Sequence, residues 1–154
     1  MKKIILFLFI LMGISIFAGE EEALGTWITE KAKTGNQIIV EIYKAENGKY
    51  NGKIVELTMP VYTEGEYAGQ ERMDLKNPDE SLRTRKLKGI DFVSGFDYNE
   101  KDGEYQNGEI YVPSTGKTYH SYMKLQKDGT LLVKGSIDKA GLFGKKQIWT
   151  RYTY

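Results

Sequence analysis

Short glycine-containing turns recur along this chain, between runs of alternating apolar and polar residues. The turn sequences are ENGK, KDGE, STGK and KDGT, which begin at positions 46, 101, 114 and 127. Asn-Gly and Asp-Gly are favoured in two-residue hairpin turns, because both central residues of such a turn need positive φ. Four signals of this kind predict a meander of neighbouring antiparallel strands.

The runs between the turns have the two-residue period of half-buried strands. In QIIVEIYK, Ile38, Val40 and Ile42 share one face, and in TYHSYMKL, Tyr119 and Met123 share one face. Further runs of this type begin at residues 26, 50, 90, 105, 130 and 146. The sequence therefore predicts an all-β fold of about eight strands. Because it contains no long amphipathic helix to cover a sheet face, we expect a single closed up-and-down barrel without exposed edges.

The first 18 residues, MKKIILFLFILMGISIFA, predict a secretory signal peptide, with two lysines, an apolar run and a small residue at Ala18. An uncleaved anchor is the alternative, but the apolar run is shorter than the roughly 20 residues of a membrane-spanning helix. We therefore expect residues 19–154 to form one barrel domain that is periplasmic or secreted and does not span the membrane.

Charge and cysteine content exclude several classes of function. Removing Lys2 and Lys3 from the 22 lysines and arginines leaves 20 basic residues against 21 acidic ones. A nearly neutral domain gives no electrostatic reason to expect nucleic-acid binding, which depends on neutralising phosphates. The chain has no cysteine and one histidine. Disulfides and thiolate metal sites are therefore excluded, and the sequence indicates no metal or cofactor.

The most charge-dense segment is NPDESLRTRKLKG, residues 77–89. Asn77 as N-cap, Pro78 at the first helical position and Asp79 in the first turn predict a short helical plug near residues 78–84. Arg83 and Arg85 have two interpretations. They could bind a carboxylate or phosphate of a ligand, or they could pair with carboxylates such as Asp74, Asp79 or Asp91. Surface ion pairs are common, which favours the structural interpretation.

Catalytic signatures are absent from the sequence. His120 is the only histidine, and its neighbour Ser121 points to the opposite face of the predicted strand. We expect His120 to be solvated beside Lys124. No nucleophile elbow, nucleotide-binding loop or zinc motif occurs. The sequence therefore does not predict an enzyme.

Two short motifs lie at the ends of the predicted domain. GTW spans residues 25–27 and WTR spans residues 149–151. Since the first and last strands of an up-and-down barrel are neighbours, we expect the guanidinium of Arg151 to stack on the indole of Trp27. That contact would close one end of the barrel and leave the other end as the entrance.

Several segments together resemble a known family of exported bacterial proteins. These are GTWITE, GNQIIVEIYKAENGKYNGKIVEL, KNPDESLRTRKLKGIDFVSGF, NGEIYVPSTGKTYHSYMKL, GTLLVKGSI and GKKQIWTR. Their order and content are similar to the domain-of-unknown-function 2147 family. The resemblance implies a calycin, lipocalin-like barrel, with Gly25, Trp27 and Arg151 at the two ends of the lipocalin pattern. It implies no particular activity.

The leading functional hypothesis is a binding module for a small apolar or amphipathic ligand, such as an acyl chain or lipid fragment. Arg83 or Arg85 would bind an acidic head group, and the expected wall residues are Ile38, Val40, Ile42, Phe92, Phe96, Tyr119 and Met123. The same side chains could instead fill the core, because eight-stranded barrels are often packed solid.

Two other classes of function remain open. An interaction or scaffolding protein of the cell envelope would have a filled barrel and an exposed apolar patch, expected around Tyr62, Tyr67, Leu142 or Phe143. An envelope enzyme would need a cluster of ionisable groups at the entrance, for which the candidates are Asp74, Asp79, Arg83, Arg85 and Asp91.

Overall fold

The computed structural model describes residues 19–142 and 144–154; the predicted signal peptide, residues 1–18, and Phe143 lie outside the described residues. Eight antiparallel strands form a closed barrel in chain order, which confirms the predicted fold. The strands are β1 (Gly25–Ile28), β2 (Ile38–Lys44), β3 (Tyr50–Leu57), β4 (Asp91–Asn99), β5 (Glu104–Val112), β6 (Lys117–Leu125), β7 (Leu131–Ser136) and β8 (Gly144–Arg151). The only helix among the described residues is a 3₁₀ turn, Glu80–Leu82.

The interior of the barrel is filled by apolar side chains through its middle and one end. Val40, Phe96, Met123 and Trp149 have no solvent exposure. A methyl group added at Gly108 would overlap the ring of Phe96, so this ring already occupies the space that a larger residue at 108 would need. Gly52 is similar, because a methyl group there would overlap Val93. Gly52 and Gly108 therefore leave room for the bulky side chains beside them, and they do not enlarge a cavity.

One end of the barrel is closed by the contact expected from the sequence. The Arg151 guanidinium lies 4.0 Å from the Trp27 ring centroid and donates hydrogen bonds to the carbonyls of Leu24 and Glu22. Gly25 has a φ of +108°, and a methyl group there would lie 3.1 Å from an Arg151 nitrogen. Glycine is thus needed at position 25 for both its backbone conformation and its small size.

The hairpin turns differ from the predicted two-residue type. Ala45 donates to the carbonyl of Lys49 and accepts from Gly48, and among the described residues only glycine has positive φ in the four turn sequences. Asn47 does not adopt positive φ, since its side chain accepts a hydrogen bond from the Lys49 amide. This local bond stabilises a longer turn in which glycine alone is left-handed.

The predicted helix cap is also wrong by two residues. Asp79 is the N-cap, with its carboxylate accepting from the Ser81 amide, and the helix is Glu80–Leu82. Asn77 is buried; its side-chain nitrogen donates to Asp74 at 2.7 Å, and its side-chain oxygen accepts from the Asp79 amide. Pro78 therefore precedes the cap instead of opening the helix. Local sequence rules assign Asn77 to the cap, but its side chain bonds to Asp74 instead.

Candidate functional site

The site expected from the sequence is the end of the barrel opposite Trp27 and Arg151. Here β3 ends and β4 begins, and residues 58–90 connect them; we call this connection the plug segment. Short bridges link Val61 to Glu71, Tyr62 to Ala68 and Met73 to Lys86, so the plug segment folds back on itself. It abuts the turn between β5 and β6, where a methyl group on Gly116 would overlap the carbonyl of Lys76.

Asp74 joins the plug segment to the barrel through a buried polar cluster. Its carboxylate has no solvent exposure and accepts from the Tyr111 hydroxyl of β5 at 2.5 Å. It also accepts from Asn77 and forms an ion pair with Arg85, with an N–O distance of 2.8 Å. Each carboxylate oxygen therefore has a partner, as a buried charge requires.

The charged residues singled out in the sequence separate into different roles. Arg85 pairs with Asp74, the contact expected from the structural interpretation of this segment. Arg83 donates to the Asn77 carbonyl and pairs with Glu80. Asp91 accepts from the Tyr43 hydroxyl on the barrel wall. Thus the structure brings together Asp74 and Arg85, while Asp79 caps the 3₁₀ helix and Asp91 lies apart.

Tyr111 gives the plug attachment a dependence on alkaline pH. Burial, and after it the hydrogen bond to Asp74, raise the pKa of Tyr111 to about 12. Because this pKa in the fold lies above the ordinary value of 10, the stabilisation is complete below about pH 10 and is lost as the pH rises through 12.

We therefore expect the free energy of unfolding of the native protein to fall between pH 10 and 12 more than that of Tyr111→Phe. Urea unfolding across this range, with tyrosinate absorbance at 295 nm, measures both quantities. Tyr43→Phe serves as the matched control on the barrel wall. If the free energy of unfolding fell equally between pH 10 and 12 in the native protein and in Tyr111→Phe, this role for the hydroxyl would be contradicted.

On the side away from the plug segment, β8 brings polar residues to the inner face of the open end. Trp149 is fully buried and stacks on Phe92, with ring centroids 5.8 Å apart. Its indole N–H donates to the Gln147 side chain at 2.9 Å, so Gln147 lies on the inner face above it. Lys145 shares that face by the alternation of strand residues. All residues from 144 to 148 are exposed, so solvent reaches the inner face here.

Facing these polar residues are apolar side chains that are only half buried. Ile110 and Tyr119 are register partners on β5 and β6, and both are partly exposed. Gly135 of β7 lies between them and Lys145: it pairs with Lys145, and a methyl group on it would lie 3.0 Å from Ile110. We call the surface formed by Ile38, Ile110, Tyr119, Gly135, Lys145 and Gln147 the mouth.

Ser121 is a buried polar group close to the mouth. Its register partners are Gly108 and Gly135, whose missing side chains would point inward, so Ser121 also points inward. The hydroxyl is buried and has no hydrogen-bond partner among the described residues. An unpaired buried hydroxyl costs on the order of 1–3 kcal/mol.

The predicted wall residues divide between core and mouth. Ile38 and Tyr119 are half buried at the open end. The other five are at most 4% exposed and belong to the packed core: Val40, Ile42, Phe92, Phe96 and Met123.

The other sequence candidates lie on the outer face of the barrel or in its loops. His120 is half buried beside its register partner Glu109 and lines an outer groove of about 640 Å³ with Lys139. Tyr62 and Tyr67 pack on each other, with ring centroids 5.8 Å apart. Leu142 is 77% exposed, and its neighbour Phe143 lies outside the described residues.

Sequence reasoning missed Lys145, Gln147, Gly135 and Ile110. A signal was available for the first two, because counting back by twos from Trp149 places both on the inner face. Polar residues at inner positions break the binary pattern of a packed strand. Such a break indicates either solvent access or function.

Two further findings concern metals and membranes. Within residues 19–142 and 144–154, no three His, Asp or Glu side chains are grouped so that they could hold a metal ion. The same residues contain no helix long and apolar enough to cross a membrane.

The chain matches a bacterial protein family and is similar in fold to a solved structure. The sequence model described as "Uncharacterized protein conserved in bacteria (DUF2147)" matches residues 25–151. A similar solved structure is protein HP1028 from the human pathogen Helicobacter pylori, described as belonging to the lipocalin family. It is 26% identical, with a TM-score of 0.69 over 84% of this chain and 82% of that chain. Among curated proteins, none shows significant similarity to this chain.

Proposed function

The chain belongs to the DUF2147 family of proteins conserved in bacteria, and on that premise we propose that it is an exported, non-catalytic binding module for a small amphipathic ligand. The ligand would have an apolar part and an acidic head group. The observation that carries the proposal is the mouth, where half-buried apolar side chains face the exposed polar residues of β8. The lipocalin-like barrel supports the same class of function.

The filled core sets the depth of the proposed site. Since Phe96 and Met123 have no solvent exposure, the ligand would occupy a shallow cup above Phe92 and Trp149 and would not reach the closed end. A shallow cup suits a short acyl chain or an aromatic ring. The apolar part would lie on the half-buried side chains of Ile110 and Tyr119, which pack beside Gly135.

Lys145 would pair with the acidic group of the ligand. Among the described residues it forms no ion pair, and it lies on the inner face next to Gly135. Arg85, by contrast, is held by Asp74. The proposal therefore assigns the head group to the β8 side of the open end.

Lys145→Glu is expected to weaken the binding of dodecanoate about 5-fold, because one exposed charge pair contributes up to about 1 kcal/mol. Displacement of a fluorescent fatty acid by dodecanoate measures this affinity, with dodecanol as the uncharged comparison. Lys127→Glu, in the exposed turn between β6 and β7, is the matched control and should bind like the native protein. Gly135→Leu should reduce binding of both compounds at least 10-fold, because it fills the cup.

Native mass spectrometry of the purified protein adds an independent readout, since a co-purified acidic amphiphile would identify the natural ligand. The proposal is wrong if dodecanoate fails to displace the probe and no small molecule co-purifies. Displacement that is unchanged in Gly135→Leu would place the ligand elsewhere on the molecule. Circular dichroism and a thermal unfolding midpoint establish that each variant is folded.

A further inference from the structure

The seam between β1 and β8 closes the barrel over a short length only. β1 pairs with β8 through Trp27 with Arg151 and Ile28 with Thr150, whereas β7 pairs with β8 from residue 144 to residue 149. From residue 149 back to residue 144, the edge of β8 that faces β1 has no strand beside it among the described residues. An edge of this kind presents unpaired backbone groups that can accept another strand.

The backbone alternation identifies which groups face this edge. The Tyr152 amide donates to the Thr26 carbonyl across the seam, so the amides of Ile148 and Lys146 face the same way. The Ile148 amide donates to the carboxylate of Glu30 at 2.8 Å. No described backbone group accepts the amide of Lys146. The Glu30 carboxylate thus occupies the position that the carbonyl of a neighbouring strand would have. The edge remains unpaired from there toward Lys146.

Apart from Glu30, the side chains along this edge are basic and partly apolar. Lys145 and Lys146 are exposed and form no ion pair among the described residues. The loop after β1 carries Lys31 and Lys33, which are exposed and also unpaired in the described part of the chain. Ile148, on the outer face with Lys146, is 40% exposed. A strand that docks here would meet positive charge at its cross-strand positions and an apolar surface at one of them.

We infer that the free edge of β8 is a docking site for an extended acidic segment of another polypeptide, which adds as an antiparallel or parallel strand beside Lys146 and Ile148. Main-chain hydrogen bonds to the edge supply affinity in this mode of recognition, and side chains supply selectivity. The incoming strand replaces the Glu30 carboxylate as the acceptor of the Ile148 amide. Acidic side chains on the outer face of the incoming strand then neutralise Lys146, which lies on that face.

A second copy of this chain is a poorer occupant of the same edge. Antiparallel pairing of two β8 edges about Lys146 would place the two Lys146 side chains directly opposite each other, and like charges in that position are destabilising. Charge complementarity therefore assigns the edge to an acidic segment. Dimer formation through β8 is the competing outcome of the experiment below.

The test uses a fluorescent ten-residue peptide of alternating glutamate and valine, titrated with the protein and followed by fluorescence anisotropy. We expect saturable binding, at least 10-fold weaker binding of the corresponding lysine–valine peptide, and weaker binding at 0.5 M NaCl. Lys146→Pro should weaken binding at least 10-fold, because it removes an amide from the free edge. Proline is tolerated at an edge strand on its solvent-facing side.

Lys127→Pro is the matched control, since it also removes one lysine and introduces proline at an exposed site. The turn after β6 admits proline at this position, because the Lys127 amide has no described partner. This control should bind the glutamate–valine peptide like the native protein. Amide hydrogen exchange supplies the direct readout: the peptide should slow exchange at Lys146 and Ile148.

Four results would each overturn the inference. These are absence of binding by the glutamate–valine peptide, equal binding of the lysine–valine peptide, binding that Lys146→Pro leaves unchanged, and peptide-induced protection elsewhere in the barrel. A β8-mediated dimer in sedimentation, abolished by Lys146→Pro, would reassign the edge to a second copy. Thermal unfolding midpoints of the variants establish that a lost interaction is not a lost fold.

Discussion

Asp74→Ala is expected to lower the free energy of unfolding by about 3 kcal/mol. The substitution leaves the Arg85 guanidinium, the Asn77 amide and the Tyr111 hydroxyl without the carboxylate that pairs them. Breaking a buried ion pair by removing one partner costs about 3–5 kcal/mol. The lower end applies here because the Arg85 side chain is 38% exposed, and solvent stabilises its unpaired charge.

Urea unfolding at neutral pH measures this loss, and amide hydrogen exchange shows where it occurs. Protection of the Leu87 amide, which bonds to the Arg72 carbonyl, should fall more than protection of the β-strands, because the plug segment is released first. Asp91→Ala is the matched control: it removes a carboxylate with one hydroxyl partner, Tyr43, and should cost less than 1 kcal/mol. A loss in Asp74→Ala no larger than that of Asp91→Ala would contradict the attachment role of Asp74.

Gly108→Ala is expected to destabilise the barrel by about 2–3 kcal/mol, although alanine is usually better tolerated than glycine in a strand. The added methyl group would overlap the Phe96 ring, and overpacking a filled core costs typically 1–3 kcal/mol. Gly135→Ala is the matched control at the mouth, where the methyl group would have a 3.0 Å neighbour in Ile110. Because Ile110 is half exposed and can shift, the control should cost less than 1 kcal/mol.

A double-mutant cycle with Phe96→Leu isolates the cause. If the loss arises from the Phe96 ring, adding Phe96→Leu to Gly108→Ala should recover at least 1 kcal/mol relative to the sum of the single effects. Urea unfolding of the four proteins provides the numbers. Strict additivity would show that the loss does not arise from the Phe96 ring. A Gly108→Ala protein as stable as the native one would indicate a hollow interior at this level and reopen the interpretation of the barrel as a deep ligand pocket.

Together, the plug attachment and the filled core define the proposed site. Asp74 holds the plug segment over β5, and Phe96 and its neighbours occupy the centre of the barrel. Solvent then reaches the inner face on the β8 side of the open end, where residues 144–148 are exposed. Release of the plug segment from β5 in Asp74→Ala should therefore leave the β8 side of the mouth unchanged.

The local signals of the sequence were sufficient for the strands and their order. Turn residues and two-residue periodicity act over a few positions, and they predicted all eight strands. They also predicted the stacking of Arg151 on Trp27, because closing an up-and-down meander brings its first and last strands together. The turn type and the helix cap were wrong where side chains formed contacts that the dipeptide rules omit, as Asn47 and Asn77 do.

The barrel, its closed end and the direction in which most strand residues point could be predicted from the residues alone, since these follow from local geometry and from the topology of a meander. The structure was needed to show that the interior is filled at Phe96, that Arg85 pairs with Asp74, and that β8 leaves Lys145 and Gln147 open to solvent. Each of these depends on contacts between residues far apart in the chain. No local pattern encodes the volume left between side chains once a barrel has closed.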